Sequence, residues 1–327
     1  MCLGGGNNHI DPRFLSHFSV FFVASPSRES LFRIFSTILQ SHVKTFSAEI
    51  QESIPNIINS TLQIYEEVLR VFIPMPKKSY YIFSLRDLAR IMQSLLQTTP
   101  ERFDTLERFT RVWLHECIRV FSDRFNDPKD DEFFQQILKK NLPLKNQEDY
   151  LFRKPVLYAD YRTILREDEP KIYEDLQDYQ AIKSIFEEIL LEYKEQYREE
   201  KDIVLFDNAL EHITRIYRVL RLDRGHLLLI GAGGSGKKLL AKIAAFTARC
   251  QIFQIQLTRN YNEGAFREDL KVLFNQIGLK GIPTVFILHE AQIIDENFLE
   301  NINNILANGI VPSLFNDEVE NNIQRAS

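Results

Sequence analysis

Residues 231–238 run Gly231, Ala232, Gly233, Gly234, Ser235, Gly236, Lys237, Lys238, directly after the apolar stretch LLLI. Gly231, Gly236 and Lys237 fit the G-x-x-x-x-G-K spacing of a phosphate-binding loop, with a buried strand expected before it and an amphipathic helix after it. Glycines let successive backbone N–H groups turn inward around phosphate oxygens, and the following helix adds its unpaired N–H groups and positive end. Lys237 supplies a mobile point charge to the outer phosphates. The plainer reading, a glycine-rich turn that binds nothing, is disfavoured because spacing and both flanking elements agree. The residue after Lys237 is Lys238, where a Ser or Thr would hold magnesium. An ammonium group cannot coordinate the ion, and either repels it or stands in for it as a fixed cation.

The partner acid of such a loop should end a later buried strand, and TVFILHEAQ at 284–292 supplies it. Glu290 follows the strand there, and the next residue is Ala291. Aspartate is the usual magnesium-side residue, with a neighbouring Glu polarising the attacking water. One carboxylate cannot readily do both jobs, so Glu290 is the sole candidate catalytic acid and the sole possible magnesium contact. The residues favour binding of ATP or ADP with little or no hydrolysis. His289 is set apart only by bordering this site, and packing is its simpler role. The other histidines show no ligand spacing, and no Ser-His-Asp or Cys-His arrangement can be argued.

The elements that must position the loop read as strand 227–230, helix 237–249, strand 251–257, a helix over about 263–277, strand 284–288 and a helix from Asp295 to Gly309. Strands alternating with helices predict a mostly parallel sheet. A helix ahead of them carries Phe206, Leu210, Ile213, Ile216, Tyr217 and Leu220. From about 27 to 140 the pattern is all-helical. Leu31, Ile34, Phe35, Ile38 and Leu39 share one face; Ile57, Ile58, Leu62, Tyr65, Leu69 and Phe72 share another. Ser84 and Asp87 are spaced for a reciprocal cap, and Thr99 with Pro100 reads as another helix start. Trp113 reads as core. Residues 1–26 end in a short strand, SVFFVA at 19–24, and read as the end of a domain. Residues 141–202 read as a polar connector with a solvated helix whose mixed charges at 192–202 suit water better than a ligand.

The 327 residues suffice for two cored domains, and 44% apolar with 26% charged residues is the balance of a globular protein. A formal charge of −5 gives no long-range pull toward nucleic acid or anionic membrane. Three widely spaced cysteines suit a reducing compartment. No apolar run approaches a bilayer span and the start lacks a secretory pattern, so a cytosolic or cytosol-facing location is expected.

Long collinear stretches carry a family resemblance. GHLLLIGAGGSGKKLLAKIAAFTARC, FREDLKVLFNQIG, PTVFILHEAQ and NNILANGIVPSLF resemble the fourth AAA+ module of dynein heavy chains of the axonemal (ciliary) type. GGGNNHIDPRFLSHFSVFFV, YYIFSLRDLAR and TTPERFDTLERFTRVWLHECIRVFSDRF resemble the end of the third module. The resemblance implies an incomplete α/β P-loop AAA+ large subdomain at 203–327. An all-helical AAA+ small (lid) subdomain would precede it at 27–140, and the end of the preceding large subdomain would lie at 1–26. It also implies a ring of six linked modules in a minus-end-directed microtubule motor, with regulatory third and fourth modules. Partners would be neighbouring modules of the same chain, with intermediate and light chains and microtubules engaged through the full-length motor. The location would be the cytoplasm, cytoskeleton and ciliary axoneme.

Carried over residue by residue, the resemblance places an arginine finger at Arg13, aimed at the preceding module's nucleotide. It places a sensor-2 arginine at Arg86, facing the third module's phosphates. Asn7 stands where the family's GGGRN segment has arginine, and Glu290 where it usually has Asp. Loss of Ser or Thr at Lys238 is familiar in axonemal fourth modules. The sheet's fourth strand, which the family places between strands 1 and 3, is expected to be missing, leaving strand 1 without a parallel neighbour. A self-contained P-loop ATPase or switch is the first alternative, and it would require its own fourth strand, sensor and lid. A nucleotide-free structural spacer is the second.

Overall fold

The computed structural model describes residues 11–144, 147–162, 171–197, 203–222 and 224–315. The GGGNN segment with Asn7 lies outside the described residues, as does the charge run at 198–202.

The first helical body begins at α2 (Arg28–His42), whose N-cap Ser27 accepts from the Ser30 N–H. It continues through α3 (Ala48–Val71), α4 (Leu85–Leu95), α5 (Leu106–Phe121) and α6 (Pro128–Lys140). Helical spacing of apolar residues dictates what each helix buries. Trp113, on α5, is wholly buried, and its indole N–H donates to the Thr61 hydroxyl on α3 at 2.8 Å. That bond lets a large indole sit in the core without an orphaned donor. The Ser84–Asp87 box opens α4 as the spacing requires.

Several expectations need correction here. Ile34, Ile38 and Leu69 share helix faces with buried neighbours yet are exposed. Thr99 and Pro100 form a turn rather than a helix start; α5 begins at Leu106 under a Thr105 cap, which accepts from the Arg108 N–H. The all-helical reading to about 140 and the polar reading of 141–202 meet different outcomes. Asp127 and Pro128 cap α6, which seats Phe134, Ile137 and Leu138 in the core. Further on, β1 (Tyr158–Ala159) pairs antiparallel with β2 (Glu174–Asp175), and α8 (Tyr179–Tyr197) buries Ile182, Phe186, Ile189, Leu190 and Tyr193.

Arg111 explains how this polar stretch is held. Its guanidinium is buried and uses all five N–H donors: Nε to Asp175 at 2.7 Å, and the others to the carbonyls of Tyr150, Leu151, Arg153 and Pro155 at 2.7–2.9 Å. One side chain on α5 thereby satisfies a run of loop carbonyls and ties β2 to the helical body.

The α/β part begins with α9 (Asp207–Leu220), which packs on α10 (Lys237–Thr247). Phe206 caps α9 and is exposed rather than buried. The parallel pair β3 (Gln251–Phe253) and β4 (Thr284–Phe286) aligns Ile252 with Val285 and Phe253 with Phe286. Between and after them, α11 (Glu263–Gly278) and α12 (Glu296–Asn308) stack Phe266 on Phe298, ring centroids 4.4 Å apart. Gly309 closes α12 in the left-handed conformation that glycine adopts without strain.

Both short apolar runs expected as strands, 19–24 and 227–230, are unpaired. Phe22 is 93% exposed and Leu228 is 79% exposed. β-Propensity is not enough by itself: a strand exists only where a neighbour shares its backbone hydrogen bonds, and no described backbone group bonds to either run. The observed sheet is therefore a two-stranded parallel pair, smaller than the sequence pattern predicts.

Candidate functional site

The loop from Gly231 to Gly236 lies on the surface and leads directly into α10. Gly234 has φ +77° and Gly236 has φ +78°, so the chain makes left-handed steps at two of the loop's glycines. A Cβ at either would meet no atom within 4 Å. Glycine is required there by backbone conformation rather than by crowding. Gly236 is the N-cap of α10, and its carbonyl accepts the Leu240 N–H at 2.9 Å, while the first-turn N–H groups have no acceptor within the helix.

Lys237 folds back over this loop. Its Nζ donates to the carbonyls of Gly231 at 2.7 Å and Ala232 at 2.6 Å, and sits 3.3 Å from the Ser235 hydroxyl. The ammonium thus rests against the first two carbonyls of the loop. Lys238, the second residue of the helix, is exposed, and its side chain shares no hydrogen bond or ion pair with any described residue. α10 carries lysines at 237, 238 and 242 and no carboxylate.

The acid is built differently. β4 gives way to a single 3₁₀ turn, Glu290–Gln292, opened by His289. His289 Nδ1 accepts from the Ala291 N–H at 3.1 Å, and Gln292 accepts from the His289 N–H at 2.7 Å while donating to the Ile255 carbonyl at 2.7 Å. His289 is therefore occupied in capping this turn. The Glu290 carboxylate is exposed. α10 leads through a tight turn into β3, and β4 runs parallel to β3. Among the described residues, no hydrogen bond or ion pair joins the Glu290 side chain to the loop.

The two arginines stand elsewhere. Arg13 lies on α1 (Pro12–Leu15), a single turn capped by Asp11, and Arg86 lies in the first turn of α4 beside the Ser84–Asp87 box. Both are exposed, and neither bonds to the loop among the described residues.

Comparison with known proteins decides the family. Residues 201–327 match the family described as P-loop containing dynein motor region D4, and residues 34–131 match the dynein heavy chain ATPase lid domain. Dynein axonemal heavy chain 10 of Homo sapiens is 46% identical over 98% of this chain. The dynein-1-alpha heavy chain of the flagellar inner arm I1 complex of Chlamydomonas reinhardtii is 41% identical over 95%, and the ciliary dynein beta chain of Tripneustes gratilla 35% over 97%. The chain belongs to the dynein heavy chain family. It spans about 7% of the length of these relatives.

Phosphate loops of this kind ordinarily hold a nucleotide together with magnesium, so the dynein family implies both. The loop fits a nucleotide: its glycines adopt the conformations a phosphate cradle needs and Lys237 sits within it. The donor set does not fit magnesium. Lys238 replaces the ligating hydroxyl, and Glu290 is one exposed carboxylate followed by Ala291.

The structure also reveals a buried polar cluster that spacing did not. Glu116 on α5 is wholly buried and accepts from the Tyr173 hydroxyl at 2.5 Å, from Arg218 of α9, and lies 3.2 Å from His115 Nδ1. Arg218 also donates to the Ser94 hydroxyl at 3.0 Å. Burial opposes the charge on Glu116, but Arg218 and His115 hold its carboxyl well below the usual range. Burial pushes the His115 imidazole down to about 4, against the pull of Glu116. The cluster joins the lid to α9, the helix packed on α10. Its only sequence signal was a carboxylate inside the apolar run WLHECI.

Proposed function

We propose that this chain forms the lid of one AAA+ module and the nucleotide-binding part of the next in an axonemal dynein motor ring. Its phosphate loop holds ATP or ADP with little or no hydrolysis. The lid reading covers 27–140, with 1–26 as the end of the preceding large subdomain, 141–202 as connector and 203–327 as the P-loop subdomain. The observation that carries it is the loop itself: left-handed glycines at 234 and 236, with Lys237 Nζ held over the Gly231 and Ala232 carbonyls. That cradle supports phosphate binding, whereas the lone Glu290 supports slow turnover.

In this reading Gly231 to Lys238 contact the nucleotide. Arg13 acts as a finger toward the preceding module's site, and Arg86 as that module's sensor. An exposed cation in the first turn of α4 stands against the helix dipole, which an anionic phosphate would relieve. The immediate partners are neighbouring modules of the same heavy chain. Intermediate and light chains and microtubules are engaged only through the whole motor, in the cytoplasm and the cytoskeleton of the ciliary axoneme. Relatives named as axonemal, flagellar and ciliary support that location.

The test is titration of labelled ATP and ADP into the 327-residue chain, beside a Lys237→Ala variant. Saturable binding that weakens at least about tenfold in the variant supports the reading. Equal failure of both, with circular dichroism showing folded protein, refutes it and leaves a structural spacer.

A further inference from the structure

We infer that the loop takes its nucleotide as the metal-free polyphosphate, with the ammonium of Lys238 occupying the place of the divalent cation. The inference rests on the reading that the loop binds a nucleotide at all.

In a phosphate loop with magnesium, the side chain after the loop lysine supplies an oxygen to the ion. Here that side chain is a cation with donors only, and it can offer the metal no lone pair while charged. Lys238 is exposed and free of any described carboxylate, so nothing in the fold neutralises it. Its setting is otherwise unfavourable. It stands in the first turn of α10 beside Lys237, with Lys242 one turn further along and no acidic residue on the helix. Lys237 and Lys238 stand at the positive end of the helix dipole, and Lys238 faces a like charge four residues on at Lys242, an arrangement that an anion at the site relieves. A triphosphate carrying its full charge does so, and one already neutralised by magnesium does so less.

The acidic side of the site agrees. A magnesium–nucleotide complex is normally gripped from two sides, by the hydroxyl and by a carboxylate ending a neighbouring strand. The hydroxyl is absent, and the single carboxylate sits on an exposed turn with Ala291 behind it. Lys237 is already pinned to the Gly231 and Ala232 carbonyls, and Lys238 follows it in the same first turn, so the loop carries two cations on adjacent residues. Metal-free binding also removes the Lewis acid that hydrolysis needs, which links the charge pattern to slow turnover.

The test measures affinity by anisotropy of labelled ATP in the full chain, once with excess chelator and once with excess magnesium. Affinity in chelator equal to or tighter than in magnesium is expected. Lys238→Ala should then lose about tenfold in chelator, and Lys238→Ser should bind more tightly with magnesium than without it. Wild-type binding that magnesium tightens about tenfold or more overturns the inference and leaves nucleotide binding intact. No binding in either condition, by folded protein, overturns nucleotide binding itself. Lys238→Ala binding as tightly as wild type in chelator also overturns the assignment of Lys238.

Discussion

Breaking the Glu116–Arg218 pair should loosen the lid from α9 at a cost far above that of a surface ion pair. Both partners lie inside the protein: Glu116 is fully buried and the Arg218 side chain is 11% exposed. Glu116→Gln keeps the volume but removes the charge and replaces one acceptor oxygen with a donor. That donor can turn to the Tyr173 hydroxyl or the neutral His115 ring, but no carboxylate is left to face Arg218. Arg218 is then left as a buried cation without its counterion. Losing one member of such a pair costs about 3–5 kcal/mol, whereas replacing both with well-packed apolar side chains is near neutral. The assay is urea denaturation at neutral pH followed by fluorescence of Trp113, the chain's single tryptophan, which sits one turn from Glu116 on the same helix. Glu116→Met and Arg218→Met should each lower stability by about 3–5 kcal/mol, and the double variant by less than about 2 kcal/mol. The reasoning fails if the two single costs add to within about 0.5 kcal/mol, because additivity means the groups do not interact.

Other outcomes follow from the same geometry. The unfolded chain binds a proton at His115 between its ordinary value of 6.5 and about 4, whereas the folded chain refuses it. Stability is therefore present above that window and falls as pH drops through it, by up to about 3 kcal/mol at pH 4. Denaturation across this pH range should show a steeper loss in wild type than in His115→Gln. Arg111→Lys offers three donors where five are used, and should cost about 2–5 kcal/mol. Limited proteolysis should then cut near Tyr150–Pro155 in that variant and spare the parent. Gly236→Ala has room for its Cβ but not the backbone conformation, at about 1–2 kcal/mol. Its nucleotide affinity should fall roughly 5–30-fold with the overall fold unchanged by circular dichroism.

The sequence by itself determined what depends on neighbours along the chain. Helical spacing, the Ser84–Asp87 box, the Asp295 cap and the Gly309 stop fix α4 and α12 through contacts within a few residues. The loop was legible for the same reason, since left-handed glycines and a following helix are local geometry. Tertiary structure decided everything that needs a distant partner. LLLI and SVFFVA have strand composition, yet neither pairs, because a strand is defined by hydrogen bonds to another segment. Glu116 and Arg218 are 102 residues apart, and Arg111 reaches carbonyls 39–44 residues away. No spacing rule reveals such pairs: a buried charge is stable only where folding brings its counterion and donors to it, and chain distance does not encode that meeting.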